Sequence, residues 1–244
     1  MQAFAHGPDI AKDVGFEQHP GAQLPLAAAF VDDAGHATTL GSALHAKPTV
    51  LVLGYLACQD LCPMTLAGVT QALDRSGLEA GRDYRGVFVS IDPRETGDAM
   101  REAKRMRVGP ADRAAWTFLR GDQASVDRLA KAVGFRYRYE PRHDTFAHAA
   151  GFAVVTPGGA ISKYFLGVRF DPAKLAASLR DARAESIAPT SNPLLLLCYH
   201  FDPTTGRYTL AILDILRAVI AAFFVIAASW AWRHHRHRVR EARP

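Results

Sequence analysis

Apolar positions in this chain fall into short unbroken runs separated by amphipathic stretches. Residues 49–55 read TVLVLGY and residues 86–91 read GVFVSI. Runs of that length, rich in Val and Leu, predict central strands covered on both faces. A shorter run at 116–119 predicts a third strand, and helical periodicity fills 63–73, 97–107 and 123–133. Asp92-Pro93 ends the second strand, because the residue before a proline is kept out of the helical region. Farther on, 152–156 and 161–166 predict two strands joined by Pro157-Gly158-Gly159, a hairpin turn signal. Asp171-Pro172 opens a last helix over 173–185. Near the start, residues 25–40 predict a hairpin turning at 33–35.

Strands alternating with helices specify an α/β class. The order hairpin, β-α-β-α-β-α, hairpin, α predicts a thioredoxin-like fold with an N-terminal β-hairpin extension. The expected organisation is an N-terminal segment 1–19, this fold over 20–185, a linker 186–209, an apolar helix 210–232 and a basic tail 233–244.

The apolar helix changes the class of the protein. Residues 210–232 (LAILDILRAVIAAFFVIAASWAW) are close to the ~20 residues that cross a bilayer core. Asp214 and Arg217 stand three apart and share one helix face near its outer end. Trp230 and Trp232 followed by an Arg/His tail fit an interfacial belt and a stop-transfer flank. The alternative is a buried or interfacial helix, since the uninterrupted part, 218–232, is shorter. The net charge of +5 sits mostly in that tail, where five Arg face one Glu. The body is therefore almost neutral, which excludes a strongly basic nucleic-acid-binding face. Positive-inside asymmetry puts the tail in the cytoplasm and the body in the periplasm of a bacterial-type inner membrane, on a single C-terminal span. Residues 1–10 carry no basic and apolar leader pattern, so an export signal is expected upstream of Met1; the alternative is a topology other than the one the tail suggests.

Chemistry concentrates in Cys58-Gln-Asp-Leu-Cys62-Pro63, where the first central strand meets its helix. Thiols four residues apart at a helix N-terminus share a face, and the helix dipole favours their thiolates. Such a pair can form a disulfide or chelate a soft ion such as Cu(I). No second Cys/His pair at zinc-site spacing accompanies it. Two buried structural cysteines are the plain alternative. His148, in a loop expected before the strand at 152–156, is the best further ligand, and His143 is its competitor in a polar turn. A lone histidine in such a place is more often a hydrogen-bonded structural residue. Asp92, in its Asp-Pro unit, reads as a turn former.

Gly54-Tyr55-Leu56-Ala57-Cys58-Gln59-Asp60-Leu61-Cys62-Pro63, then Ser90-Ile91-Asp92-Pro93-Arg94-Glu95-Thr96, then Asp144-x3-His148, closely resembles the Sco/SenC family. That family comprises thioredoxin-fold, membrane-anchored proteins that help build the binuclear copper centre of cytochrome c oxidase. The resemblance covers roughly residues 20–185, with the motifs in the same order. It implies that Cys58, Cys62 and His148 bind one copper ion, with Asp144 as a supporting partner. It implies a metallochaperone whose partners are the copper-bearing oxidase subunit and other copper chaperones or thiol reductants. The family more often has Thr at the position of Leu56 and Pro at that of Gln59, and its anchor is more often N-terminal.

Two other functions compete. A thiol-disulfide oxidoreductase would use Cys58/Cys62 to reduce the cysteines of the oxidase copper site and would not need His148. A peroxiredoxin-like peroxidase would usually carry Thr three residues before its cysteine, where this chain has Tyr55. The third cysteine, Cys198, lies two residues before His200 in the linker. In an extended strand the pair shares one side, as a second soft-metal site or an exchanging thiol. An apolar patch with an incidental cysteine is the alternative. His234, His235 and His237 read as part of the solvated cationic flank.

Overall fold

The computed structural model describes residues 14–57 and 61–188, and beyond them 201–202, 207–208, 217, 220–221 and 223. The chain divides into two units at Thr190/Ser191. The first is built on a seven-stranded sheet. Its strands are β2 (Ala29–Asp32), β3 (Ala37–Thr39), β4 (Thr49–Gly54), β5 (Arg85–Ser90), β6 (Trp116–Arg120), β9 (Gly151–Val155) and β10 (Ile161–Leu166). They lie in the order β10-β9-β4-β5-β6-β2-β3. The central three are parallel, and the antiparallel pairs β9/β10 and β2/β3 extend the two edges.

Helices α1 (Leu40–Leu44), α2 (Leu61–Asp74), α3 (Gly97–Arg107), α4 (Gln123–Val133) and α5 (Pro172–Arg183) supply the covering layers. Alternation along the strands sends Leu51, Leu53, Val87 and Val89 into one core with residues of α1 and α4. Val50, Val52 and Phe88 enter the other with residues of α2, α3 and α5. Every residue of β4 is buried, which is why its sequence is an unbroken apolar run instead of an alternating one. Helix starts are chemically marked. Thr96 accepts from the Ala99 N–H, Asp122 from Ser125, and Asp171 from Ala173 and Lys174 with Pro172 in the first turn. Helix α4 stops at Gly134, whose φ of 67° is left-handed.

The elements expected between residues 49 and 185 are present within one or two residues at their ends, and the early hairpin expected over 25–40 is β2 and β3, at 29–32 and 37–39. Three features were not foreseen. Helix α1 occupies 40–44. Strands β7 (Phe135–Glu140) and β8 (Thr145–His148) form an antiparallel hairpin. Strand β1 (Gly15–Phe16) adds to that hairpin as a separate three-stranded sheet, β1-β7-β8. His148 is therefore the last residue of a strand and not part of a loop.

In the second unit, Phe201–Asp202 (β11) pairs antiparallel with Arg207–Tyr208 (β12). Among the described residues no helix is long and apolar enough to cross a membrane. The membrane helix expected over 210–232 lies outside the described residues except for 217, 220–221 and 223, which are helical.

Candidate functional site

Strands β4 and β5 run in register to Gly54↔Ser90, so both leave the sheet at the same level. In open α/β sheets the space beyond such carboxyl ends is where ligands bind. The chain after β4 leads through Tyr55, Leu56 and Ala57 towards Cys58, and α2 starts at Leu61. Cys62 is thus in the first turn of α2, where backbone N–H groups are unpaired and the helix dipole is positive. Cys58 and the side chain of Cys62 lie outside the described atoms. Among the described residues no group of three His, Cys, Asp or Glu side chains could hold a metal ion.

His148 comes to this edge from the β7–β8 hairpin. The register pairs Tyr137 with His148 and Tyr139 with Phe146, which puts these four side chains on one face. That face packs on Tyr55. The Tyr55 ring meets His148 edge-on at 5.7 Å between centroids, and Phe146 edge-on at 5.3 Å. Phe135 flanks the imidazole at 5.7 Å. The histidine is therefore held against a residue three positions before Cys58. Its Nδ1 is 2.9 Å from the Ala149 carbonyl oxygen, an atom that can only accept. The neutral ring must then carry its proton on Nδ1, leaving the lone pair on Nε2. Metal-binding histidines are commonly oriented in this way. His143, by contrast, is exposed in the hairpin turn.

The β5–α3 turn completes the surroundings. Asp92 is only 5% exposed and binds Arg94 in a fork, Oδ1 to Nε at 2.8 Å and Oδ2 to Nη2 at 2.7 Å. Its Oδ1 also accepts the Arg94 backbone N–H at 3.0 Å, an Asx turn that bears out the turn-forming reading. Burial is the strongest single influence on the Asp92 carboxyl and raises its pKa. The combined contacts with Arg94 outweigh it and hold the group below its usual value. Arg94 also donates from Nη1 to Asp144 Oδ1 at 2.6 Å and lies over the Tyr139 ring at 5.4 Å. Asp144, at a left-handed φ of 50° in the hairpin turn, accepts from the Tyr139 hydroxyl at 2.7 Å. These two hydrogen bonds, Tyr139 first and Arg94 second, keep its carboxyl below the usual range.

Glu95 points the other way. Its Oε1 accepts from the backbone N–H of Leu56. Its Oε2 is buried without a hydrogen-bond partner. Burial pushes the pKa up, and the polar groups around the carboxyl, the Ser90 hydroxyl and the Leu56 N–H foremost, offset only part of that. Arg94 and Glu95 carried no individual role in the sequence; two opposite charges directly after Asp-Pro were the only trace of one. Cys198 and His200 lie outside the described residues.

The sequence profile of the SCO1/SenC family matches residues 22–184. A protein from Stutzerimonas stutzeri, provisionally named as copper-binding, is 27% identical over 116 residues, 46% of this chain and 54% of that protein. The chain thus spans about half the length of that curated relative. Among solved structures, Bradyrhizobium japonicum ScoI with copper bound is 25% identical with a TM-score of 0.54, covering 68% of this chain and 98% of that one. BsSco, described with a disulfide switch and as a member of the Sco family of cytochrome c oxidase assembly proteins, is 19% identical with a TM-score of 0.55. It covers 68% of this chain and 96% of its own, and at that identity shares the fold alone.

Proposed function

Because the chain belongs to the SCO1/SenC family, we propose that it carries one copper ion on the thiolates of Cys58 and Cys62 and the imidazole of His148. The ion is cargo, destined for the copper-bearing subunit of cytochrome c oxidase. The observation that carries this reading is the seating of His148 on Tyr55, with Nδ1 committed to the Ala149 carbonyl. With Nδ1 so committed, Nε2 is the ring nitrogen that would coordinate a metal, and Tyr55 seats this ring beside the strand exit that leads to Cys58. Two thiolates and one imidazole are a soft donor set suited to Cu(I). The copper held by the 25% identical ScoI agrees with it.

Binding requires the reduced dithiol, because a disulfide has no thiolate to offer. Thiol reductants are therefore expected partners alongside copper donors. Residues 210–232, with their terminal tryptophans and the Arg-rich tail, support a membrane tether that keeps the domain on the periplasmic side, near a membrane-bound recipient.

The test is metal analysis of the reduced full chain. Wild type should hold one copper, and His148→Ala should bind markedly more weakly. Cys58→Ala or Cys62→Ala should lose high-affinity binding. Stoichiometric copper in the double cysteine variant would refute the assignment. Unchanged copper affinity in His148→Ala would favour a dithiol that only exchanges electrons, since exchange needs no imidazole.

A further inference from the structure

Arg94 and Glu95 are consecutive, yet they grip opposite sides of the candidate site. Arg94 is fixed at its base by the buried Asp92 carboxylate, and its far nitrogen reaches Asp144 in the turn of the hairpin that ends in His148. Glu95 reaches back over the strand exit and accepts the N–H group of Leu56, two residues before Cys58. We propose that the 92–95 turn is a brace, with Arg94 and Glu95 as positioning residues that fix the imidazole side of the site relative to the thiol side. This rests on the copper reading above and deepens it. Neither residue is assigned as a ligand. Arg94 acts through the hairpin and His148, whereas Glu95 acts through the backbone before Cys58.

The separation of the two arms follows from the connectivity. The β7–β8 hairpin belongs to the small β1-β7-β8 sheet and not to the central one. Among the described residues, its contacts with the strand exits include the Tyr55 aromatic cluster, the Arg94–Asp144 link and the Arg94 guanidinium over the Tyr139 and Phe146 rings. The link also has a geometric filter. Arg94 uses Nε and Nη2 on Asp92 and Nη1 on Asp144, a division of one planar fork that a lysine ammonium cannot reproduce.

The experiment uses the reduced full chain with Cu(I) as the titrant, together with two measurements on metal-free protein. Arg94→Met should weaken Cu(I) binding about tenfold, as loss of a group that orients a ligand does. In a His148→Ala background the same change should have no effect beyond about twofold, the limit of additivity. Glu95→Ala should weaken binding in both backgrounds, and Glu95→Gln, which keeps the acceptor oxygen, should restore it. Without metal, Arg94→Met should shift the imidazole 15N resonances of His148, and Glu95→Ala should speed alkylation of Cys58. A melting curve checks that each variant is folded; Arg94 and Asp144 are both exposed enough that Arg94→Met should pass. Wild-type 15N resonances in Arg94→Met with wild-type alkylation in Glu95→Ala would overturn the brace, whatever copper does. Altered metal-free readings with a copper affinity indifferent to His148→Ala would instead uphold the brace and sink the copper reading.

Discussion

A methyl group added at Gly86 tests the packing that supports the site without touching the site. Gly86 opens the buried part of β5 and stands between Val50 of β4 and Trp116 of β6. A Cβ there would sit 2.1, 2.2 and 2.5 Å from Cδ2, Cε2 and Cε3 of the Trp116 indole. The indole is rigid, 1% exposed and packed edge-on to Phe118, so it cannot swing aside cheaply. Overpacking of a tight core costs about 1–3 kcal/mol, and contact with three ring atoms puts Gly86→Ala near the upper end. The smaller entropy of an unfolded chain with alanine returns about 0.4–1 kcal/mol. The expected net loss is about 2 kcal/mol, or about 4–8 °C in Tm for a domain of this size. Urea denaturation followed by circular dichroism measures it. In a Trp116→Leu background the clash disappears, so the same substitution should cost less than about 0.5 kcal/mol. Copper affinity should stay at the wild-type value, because Gly86 is at the opposite end of β5 from Ser90 and the turn that follows. Equal stability of Gly86→Ala and wild type, or an equal loss in the Trp116→Leu background, would refute the reasoning.

Three further outcomes are expected. Glu95 has a folded-state pKa above its ordinary 4.5, so its contribution to stability is full below that value and is lost as pH rises through the folded pKa. Glu95→Gln should therefore gain stability relative to wild type as pH rises above the ordinary 4.5; a difference that stays flat in urea titrations as pH is raised from that value contradicts the burial argument. Gly134→Ala places a Cβ 1.8 Å from the Glu17 carbonyl oxygen at a φ of 67°, and should cost more than about 2 kcal/mol by the same assay, with a neutral result refuting it. A reporter fused after Pro244 should be active only in the cytoplasm, and activity only outside would reverse the proposed topology.

Much of the scaffold was legible because the forces that set it are local or periodic. The unbroken runs at 49–55 and 86–91 identify strands covered on both faces, and β4 and β5 are those strands. Threonine and aspartate caps, Asp171-Pro172 and the Pro-Gly-Gly turn mark element ends through hydrogen bonds within a few residues. The dithiol at a strand-to-helix junction is equally a matter of spacing. The β7–β8 hairpin leaves a fainter trace: Phe135–Glu140, FRYRYE, alternates apolar and polar at period two, the pattern of a half-buried strand.

What no stretch of sequence contains is the meeting of distant segments. His148 reaches the end of β4 only because the hairpin folds its aromatic face onto Tyr55, 93 positions earlier. Arg94 finds Asp144 across 50 residues, and Glu95 finds the Leu56 amide across 39. Periodicity fixes which face a side chain takes within its own element, but it holds no information on which other element lies opposite. Those partners are set by strand order and by the packing of two cores around one sheet, and so the candidate residues are written in the chain while the placing of His148, Arg94 and Glu95 belongs to the tertiary structure.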